Sequence, residues 1–357
     1  MGLELRVETF SEEHIEPYVR LSRVEYGDHA AVSQANHLRW KFIENPQGLS
    51  IGINLYDAGE LVGRMVALPR KFLFQGKTFT AAHIVDFLVH PQNRGMESLL
   101  QLVTGLKKLS GFDLQLIMAP NPAGAAVWEK FVKMPGHFDL DVAMVPLRPA
   151  AILQSSGKLQ SGKFGQLLEW PWRFLMRTAN STGAALNRIK VESKWPDPAE
   201  LDQLHNLNSE DRVVGLRSAA YIEWRYRQSP VFQYNVSFLR DKGALCGYFV
   251  TRRTVYNGFD CLFVVDAFGR PELTAGEWRA ASSRQVAQAS ADGAEMAMIL
   301  GNTGCGSLAA ASGMPFLTVP QRFLPRKTTV YAQWISSPGF PIRRDNFCVA
   351  LGDSDVI

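Results

Sequence analysis

A repeat within the chain constrains its fold more than any other feature of the sequence. Trp40 and Trp224 stand in similar sequence surroundings and are 184 residues apart. Repeated matches at nearly constant spacing are typical of a duplicated structural unit, so we predict two similarly folded domains. The matching segments, at an offset of 184 residues or, for the last pair, 180, are LRWKFIENP (38–46) with IEWRYRQSP (222–230), LYDAGELVGRM (55–65) with LRDKGALCGYF (239–249), and IVDFLVHP (84–91) with VVDAFGRP (264–271).

The repeat also sets the predicted domain boundaries. A chain of 357 residues is long enough for about two domains. The basic segment 157–190 carries an apolar helical stripe that Pro171 would kink. Such a helix either lies on an anionic membrane surface or packs across the two domains. The predicted parts are an N-terminal domain at 1–148, a linker with this amphipathic helix at 149–189, a C-terminal domain at 190–335 and a tail at 336–357.

Both copies have the same predicted order of elements. An amphipathic helix comes first, and a helical segment with the matched tryptophan follows it. Two strands then meet at a polar turn with glycine, which is typical of a hairpin. A strand carrying Asp86 or Asp266, a long helix, a buried strand and a short helix complete each copy. This order predicts an α/β fold with mixed sheets. The matched tryptophans either anchor the second helix in the core or line an acceptor pocket.

The charge balance argues against nucleic acid as the main partner. Lys and Arg number 38 against 34 Asp and Glu, and a net charge of +4 is too small for that role. The first residues lack the apolar core of a secretory signal, and no apolar run reaches the length of a membrane span. The four cysteines lack metal-ligand spacing, so we predict a cytoplasmic protein with reduced thiols.

One segment of the first copy resembles a known anion-binding loop. Val-His-Pro-Gln-Asn-Arg-Gly at 89–95 lies between a predicted strand and the long helix. With the order of elements, it resembles the GNAT acyltransferase superfamily, whose loop holds the coenzyme A pyrophosphate on backbone amides at a helix N-terminus. The resemblance implies an acyl-CoA donor, acetyl-CoA or another, and no metal. It implies that the donor is bound by Leu88, Val89, His90, Arg94, Gly95, Met96, Glu97 and Asn121.

The resemblance to that superfamily is partial. Glu97 and Leu99 stand where the later glycines of the loop are expected. In the second copy Thr274 and Ala275 replace the Arg-Gly pair, so we predict that this copy is degenerate and that the first keeps the donor site. The family often has a tyrosine that protonates the leaving thiolate, but Trp128 stands at that position. Protonation would then come from water or another side chain.

Asp86 is the candidate catalytic residue. It lies among apolar neighbours on the strand whose backbone, in the family, receives the thioester carbonyl. Burial there is expected to raise the pKa of Asp86 toward a value useful for base catalysis. The alternative is a structural carboxylate that bonds to the backbone or to a neighbouring arginine, and the matching Asp266 favours it. His83 and His90 are alternative proton relays.

The residues and the resemblance together predict an acyltransferase. It would move an acetyl or other acyl group from a CoA thioester to an amine or hydroxyl of a small-molecule, sugar or peptide acceptor. One alternative is a non-catalytic protein that binds acyl-CoA or serves as a scaffold. Another is an aminoacyl- or acyl-carrier-dependent transferase that acts on a lipid-linked cell-envelope precursor.

Overall fold

Segments of the chain alternate between two structural units. A computed structural model describes residues 2–134, 138–150, 152, 188–206, 212–302, 316–320, 322, 324, 328–335 and 342–354. Each unit contains segments from both halves of the chain, whereas the predicted domains at 1–148 and 190–335 are continuous. The division into domains at 1–148 and 190–335 therefore stays a prediction that rests on the sequence repeat. Unit 1 comprises Met1–Asp139, Glu210–Gln233 and Thr328–Arg343, and unit 2 comprises Leu140–Ser209, Tyr234–Lys327 and Arg344–Ile357.

The described helices and strands follow the predicted order as far as β13, and the structure adds strands that were not predicted, including one before the first helix of each copy. The strands are β1 (Glu4–Thr9), β2 (Ile51–Asp57), β3 (Glu60–Phe74), β4 (Lys77–Val89), β5 (Leu114–Met118), β6 (Phe138–Asp139), β7 (Asp141–Pro146), β8 (Ile189–Glu192), β9 (Val213–Gly215), β10 (Asn235–Asp241), β11 (Ala244–Tyr256), β12 (Phe259–Gly269), β13 (Met296–Gly301), β14 (Leu317–Thr318), β15 (Thr329–Trp334) and β16 (Phe347–Cys348). The α-helices are α1 (Ile15–Tyr26), α2 (Ala35–Phe42), α3 (Met96–Leu106), α4 (Pro122–Ala126), α5 (Pro198–Asn206), α6 (Ala219–Ile222) and α7 (Ala275–Ala291).

Local sequence explains most of these elements. The amphipathic segment forms α1, whose buried face includes Tyr18 and Leu21. α2 ends at Phe42, shortly before Pro46, because the residue before a proline disfavours helix. The added strands β1 and β8 pair antiparallel with β2 and β10. The alternation of charged and apolar residues in β1 is the signal that predicts such a strand.

Each unit is built on a mixed sheet, which confirms the predicted α/β fold class. In unit 1 the strand order is β1-β2-β3-β4-β5-β15-β6, and β9 pairs with the end of β3. In unit 2 the order is β14-β7-β13-β12-β11-β10-β8. β4 and β5 run parallel, as do β12 and β13, and the other neighbours along both orders are antiparallel.

The two matched tryptophans contact each other within unit 1. Their rings stack with centroids 4.7 Å apart. The Nε1–H of Trp40 donates to the carbonyl oxygen of Trp224 at 2.9 Å, and the Nε1–H of Trp224 donates to that of Trp40 at the same distance. Both side chains are buried, so they anchor the core and do not line an open pocket.

Three predictions about other regions have different outcomes. In the predicted tail, Phe347, Val349 and Leu351 are buried, and this part of the chain belongs to unit 2. Cys246 and Cys261 are free and buried, but Cys348 is in a disulfide, so the prediction of reduced thiols is wrong for that residue.

The predicted basic helix of the linker lies outside the described residues. No helix in the described ranges is long and apolar enough to cross a bilayer.

Candidate functional site

Strand β4 carries an irregularity at Asp86. The pairing register shifts between Arg64 and Val66 of β3, which leaves Asp86 and Phe87 opposite a single residue. This is a β-bulge, and the backbone of Asp86 has φ 51°, in the left-handed region. In one type of β-bulge the first residue is left-handed. That residue is usually glycine, because a side chain makes this conformation costly. The bulge bends β4 just before residues 87–89.

β4 and β5 stop pairing close to this bulge. Their parallel pairing covers Ala81, Ala82 and His83, although β4 continues to Val89. Beyond His83, therefore, the described strands leave the β5 side of β4 without a pairing partner. Ala119, directly after β5, is also left-handed, with φ 49°. Unpaired strand edges can hydrogen-bond an extended ligand, and strained residues often cluster at functional sites.

The Asp86 side chain is buried between two cations. Lys41 Nζ, from α2, lies 2.9 Å from Asp86 Oδ1, and Arg64 Nη2 lies 3.4 Å from Oδ2. Burial alone raises the pKa of Asp86, but the charges of Lys41 and Arg64 outweigh it and hold the pKa below its ordinary value. The expectation of a raised pKa is therefore wrong. The geometry matches the alternative prediction, a carboxylate bonded to a neighbouring arginine.

His37 belongs to the same cluster and was not predicted from the sequence. It is 3% exposed, and its ring lies 5.3 Å from that of Trp40. Its Nδ1 is buried without a hydrogen-bond partner among the described residues. Burial, together with the charge of Lys41, lowers the pKa of His37 to about 3, so the imidazole is neutral at physiological pH. Its position one turn before Lys41 on α2 was a possible signal for this neighbourhood.

The loop after β4 is held by local contacts. His90 caps the 3-10 turn Pro91–Asn93, since its Nδ1 accepts from the backbone N–H of Gln92 at 3.3 Å. Arg94 donates from Nε to the carbonyl oxygen of Val89 at 3.1 Å and forms an ion pair with Glu25. His90 therefore has a structural contact, and Arg94 keeps a half-exposed side chain beside the start of α3.

The N-terminus of α3 is open. Its first hydrogen bond joins Leu99 N–H to the carbonyl oxygen of Gly95, so the amides of Met96, Glu97 and Ser98 have no acceptor within the helix. Gly95 is the N-cap, and no side-chain hydrogen bond caps this end in the described part of the chain. Such amides, together with the helix dipole, favour an anion.

The corresponding helix of unit 2, α7, has a closed N-terminus. The side chain of Thr274 accepts from Glu277 N–H at 3.3 Å, and Glu277 Oε2 accepts from Thr274 N–H at 2.8 Å. This reciprocal capping box occupies the Glu277 amide, one of the first-turn N–H groups that would otherwise be open to an anion. Glu277 is also paired with Arg188 at 3.1 Å, which places a carboxylate firmly at this end.

Asn121 and Trp128 have structural contacts near the end of β5. Asn121 Oδ1 accepts from Gly124 N–H at 2.7 Å and so caps α4. Trp128 is buried in the core of unit 1. Tyr331 of β15 lies in the same core and donates its hydroxyl to Glu129 at 2.7 Å. Burial and the adjacent Glu129 carboxylate raise the pKa of Tyr331.

A cavity of about 390 Å³ lies beside the 90–93 loop in unit 1. Its size is within the range of small-molecule sites. Asp86, Lys41 and Arg64 do not line it, so it is separate from the buried charges. Its lining residues come from α1, the β2–β3 turn and the loop: Pro17, Arg20, Leu21, Val24, Asp57, Ala58, Glu60, Leu61, Val62, His90, Gln92 and Asn93.

Residues 6–109 match the family model described as an acetyltransferase (GNAT) domain, a range that runs from β1 through α3. A search of curated proteins found no match to this chain.

Solved structures of acyltransferases share the fold at low sequence identity. A probable N-acyltransferase from Enterococcus faecalis is 12% identical with a TM-score of 0.57, over 93% of this chain and 73% of its own. A GCN5-related N-acetyltransferase from Anabaena variabilis is 13% identical with a TM-score of 0.54, over 92% and 72%. The N-myristoyltransferase of Saccharomyces cerevisiae, solved with bound myristoyl-CoA, is 12% identical with a TM-score of 0.56, over 97% and 84%. These likenesses establish the fold.

Proposed function

We propose that this protein transfers an acyl group from a CoA thioester to an amine and that the donor binds where β4 leads into α3. The match of residues 6–109 to an acetyltransferase domain supports this reaction class. The N-myristoyltransferase with the same fold was solved with an acyl-CoA bound. The proposed donor site comprises the unpaired edge of β4 at Leu88 and Val89, the loop with His90, Arg94 and Gly95, and the first turn of α3 with Met96 and Glu97. Asn121 would contribute as the cap that shapes the end of β5.

The difference between the two helix N-termini carries this proposal. α3 begins with free amides behind Gly95, whereas α7 is closed by Thr274 and Glu277. A pyrophosphate needs several N–H donors at close range, and α3 offers them. Unit 2 would then be the degenerate copy of a duplicated domain.

The reaction would need little from side chains. The neutral amine nitrogen forms a bond to the thioester carbonyl carbon, the C–S bond breaks, and the thiolate leaves with its electron pair. The nitrogen releases one proton to water as the amide forms. Backbone N–H groups at the bulge of β4 would stabilise the negative charge that develops on the carbonyl oxygen. Trp128 cannot protonate the thiolate, so that proton comes from water or from another side chain. The acceptor would be an amine of a small molecule, sugar or peptide.

A non-catalytic acyl-CoA-binding protein is the second candidate. One observation favours it: both carboxylate oxygens of Asp86 already face cations, which leaves this residue poorly placed as a base. Turnover separates the two functions, because a binding protein would hold acetyl-CoA without releasing free thiol when amines are added.

Gly95 allows a direct test of the donor site. Its φ of −176° is extended, and a Cβ at this position would meet nothing within 4 Å, so Gly95→Ala should fold normally. If phosphates approach this backbone closely, the added methyl group should weaken binding of free CoA by about tenfold or more in calorimetric titration. The matched control is Gly276→Ala on α7, where a Cβ would also be accommodated and affinity should not change. Equal affinity for both variants, or no binding of CoA to the wild type, would refute the site.

A further inference from the structure

We infer that Lys41 and Arg64 are positioning residues. They bind the Asp86 carboxylate and so hold the left-handed bulge of β4, which directs the backbone N–H groups that face the donor carbonyl. This inference rests on the proposed function for its chemistry. The bulge itself can be tested without a donor.

The three side chains form a rigid, buried unit. Their exposed fractions are 2% for Lys41, 1% for Arg64 and 6% for Asp86. Arg64 is fixed in turn to α1, because Nη1 donates to the carbonyl oxygen of Tyr18 and Nη2 to the hydroxyl of Ser22, both at 2.8 Å. Asp86 is thus linked to α2 through Lys41 and to α1 through Arg64, and we expect these contacts to restrict its backbone.

Stability alone is a weak reason for such a cluster. A buried ion pair often contributes no more than well-packed apolar residues would, because removing charges from water is costly. A glycine at position 86 could adopt φ 51° with neither cation. The chain instead places an aspartate in a costly conformation and holds it with two buried cations. Strain maintained in this way, next to a separated pair of strands, is typical of a functional site.

The backbone at Asp266, on the matching strand of unit 2, differs from that at Asp86. β12 also has an irregular register, between Val250 and Thr251 of its partner strand, and Asp266 is buried there. Asp266, however, accepts from the hydroxyl of Tyr248 at 2.9 Å and from the backbone N–H of Ala267 at 3.0 Å. Its φ is not positive. The unit whose helix N-terminus is closed therefore also lacks the left-handed bulge residue.

Three variants separate positioning by the cations from other roles of Asp86. Lys41→Met removes the closer cation and should weaken the bulge. Lys41→Met/Asp86→Gly should restore it, because glycine adopts a positive φ without support. Lys41→Met/Asp86→Ala has the same charges as the glycine variant but disfavours that φ, so it should not restore the bulge. A general base would be lost equally in the glycine and alanine variants.

Two readouts test these variants. Crystal structures without ligand give φ at residue 86, which we expect to be left-handed in the wild type and the glycine variant only. Infrared spectra of acetyl-CoA labelled with carbon-13 at the carbonyl give the strength of the hydrogen bonds to that oxygen. We expect the carbonyl stretch to shift to lower frequency in the same two proteins. Affinity for free CoA should stay within about twofold throughout, because the phosphate loop is untouched.

The outcomes are distinct. A left-handed residue 86 in the alanine variant, or equal carbonyl frequencies in all variants, would overturn the inference. Failure of the wild type to bind acetyl-CoA would instead refute the proposed function, and the crystal structures would still decide whether the cations hold the bulge. Thermal unfolding of each variant excludes a folding defect as the cause.

Discussion

Unit 1 should lose stability in mild acid because of His37. This histidine is 3% exposed, and its ring lies 5.3 Å from Trp40 and 5.5 Å from Phe232. Burial, followed by the charge of Lys41, lowers its pKa from 6.5 to about 3, and the opposite effect of the Asp86 carboxylate is smaller than either. Protonation in the folded state would place a third cation in a buried cluster that already holds two.

The sign and size of the effect follow from the pKa values. Between pH 6.5 and about 3 the unfolded chain binds a proton on His37 that the folded chain does not. Stability is therefore complete above pH 6.5 and falls as the pH is lowered. Each pH unit in this window costs about 1.4 kcal/mol, so the loss reaches about 2 kcal/mol near pH 5. Asp86, whose pKa is lowered from 3.8, begins to lose its contribution only below about pH 3.8, so it does not add to the loss near pH 5.

Urea denaturation near pH 7.5 and near pH 5 measures this loss. His37→Phe keeps the ring contacts and removes the titration. Between these pH values the wild type should lose about 2 kcal/mol more of its free energy of unfolding than this variant does. His29→Phe, at an exposed position, should match the wild type. Parallel pH dependence in wild type and His37→Phe would show that His37 is protonated in the fold and refute the reasoning.

Two further predictions concern packing in unit 1. Gly105→Ala should destabilise the protein by about 1–3 kcal/mol, because the new Cβ would lie 2.3 Å from Cγ2 of Ile53. This overlap outweighs the better helix propensity of alanine. Urea denaturation measures the loss, and an unchanged midpoint would contradict the prediction. Trp40→Phe and Trp224→Phe should each cost about 1–3 kcal/mol, because each leaves a buried carbonyl oxygen without its donor. The double variant should cost less than the sum, since both changes disturb the same stacked pair, and strict additivity in a double-mutant cycle would argue against coupling.

Local sequence could predict the elements of unit 1 but not the state of Asp86. Periodicity and turn chemistry placed Asp86 on a strand and the 89–95 loop before a long helix, and both are found. The left-handed φ of Asp86 has only a weak local signal, because aspartate adopts this conformation more often than most residues but far less often than glycine. Its pKa depends on Lys41 and Arg64, which come from two other elements, so only the tertiary structure gives its direction.

The strands that complete each sheet could not be predicted either. β7 lies at the end of the predicted N-terminal domain, yet it pairs with β13 of unit 2. β15 lies at the end of the predicted C-terminal domain, yet it pairs with β5 of unit 1. A strand pattern indicates that a strand forms but not which partner it selects, because pairing depends on contacts far away in sequence. The predicted boundaries therefore follow the repeat, while the structural units follow the strand pairing.

This pairing has a consequence for the donor site of unit 1. β5 is bound along its whole length by β15, from Leu114 opposite Trp334 to Met118 opposite Val330. Its other edge pairs with β4 only up to His83. We therefore expect β15 to hold β5 in its register, so that the β5-side edge of β4 beyond His83 stays unpaired. A strand encoded more than 200 residues after α3 thus helps to keep the proposed donor site open, so the site is a property of the whole chain and not of residues 1–148 alone.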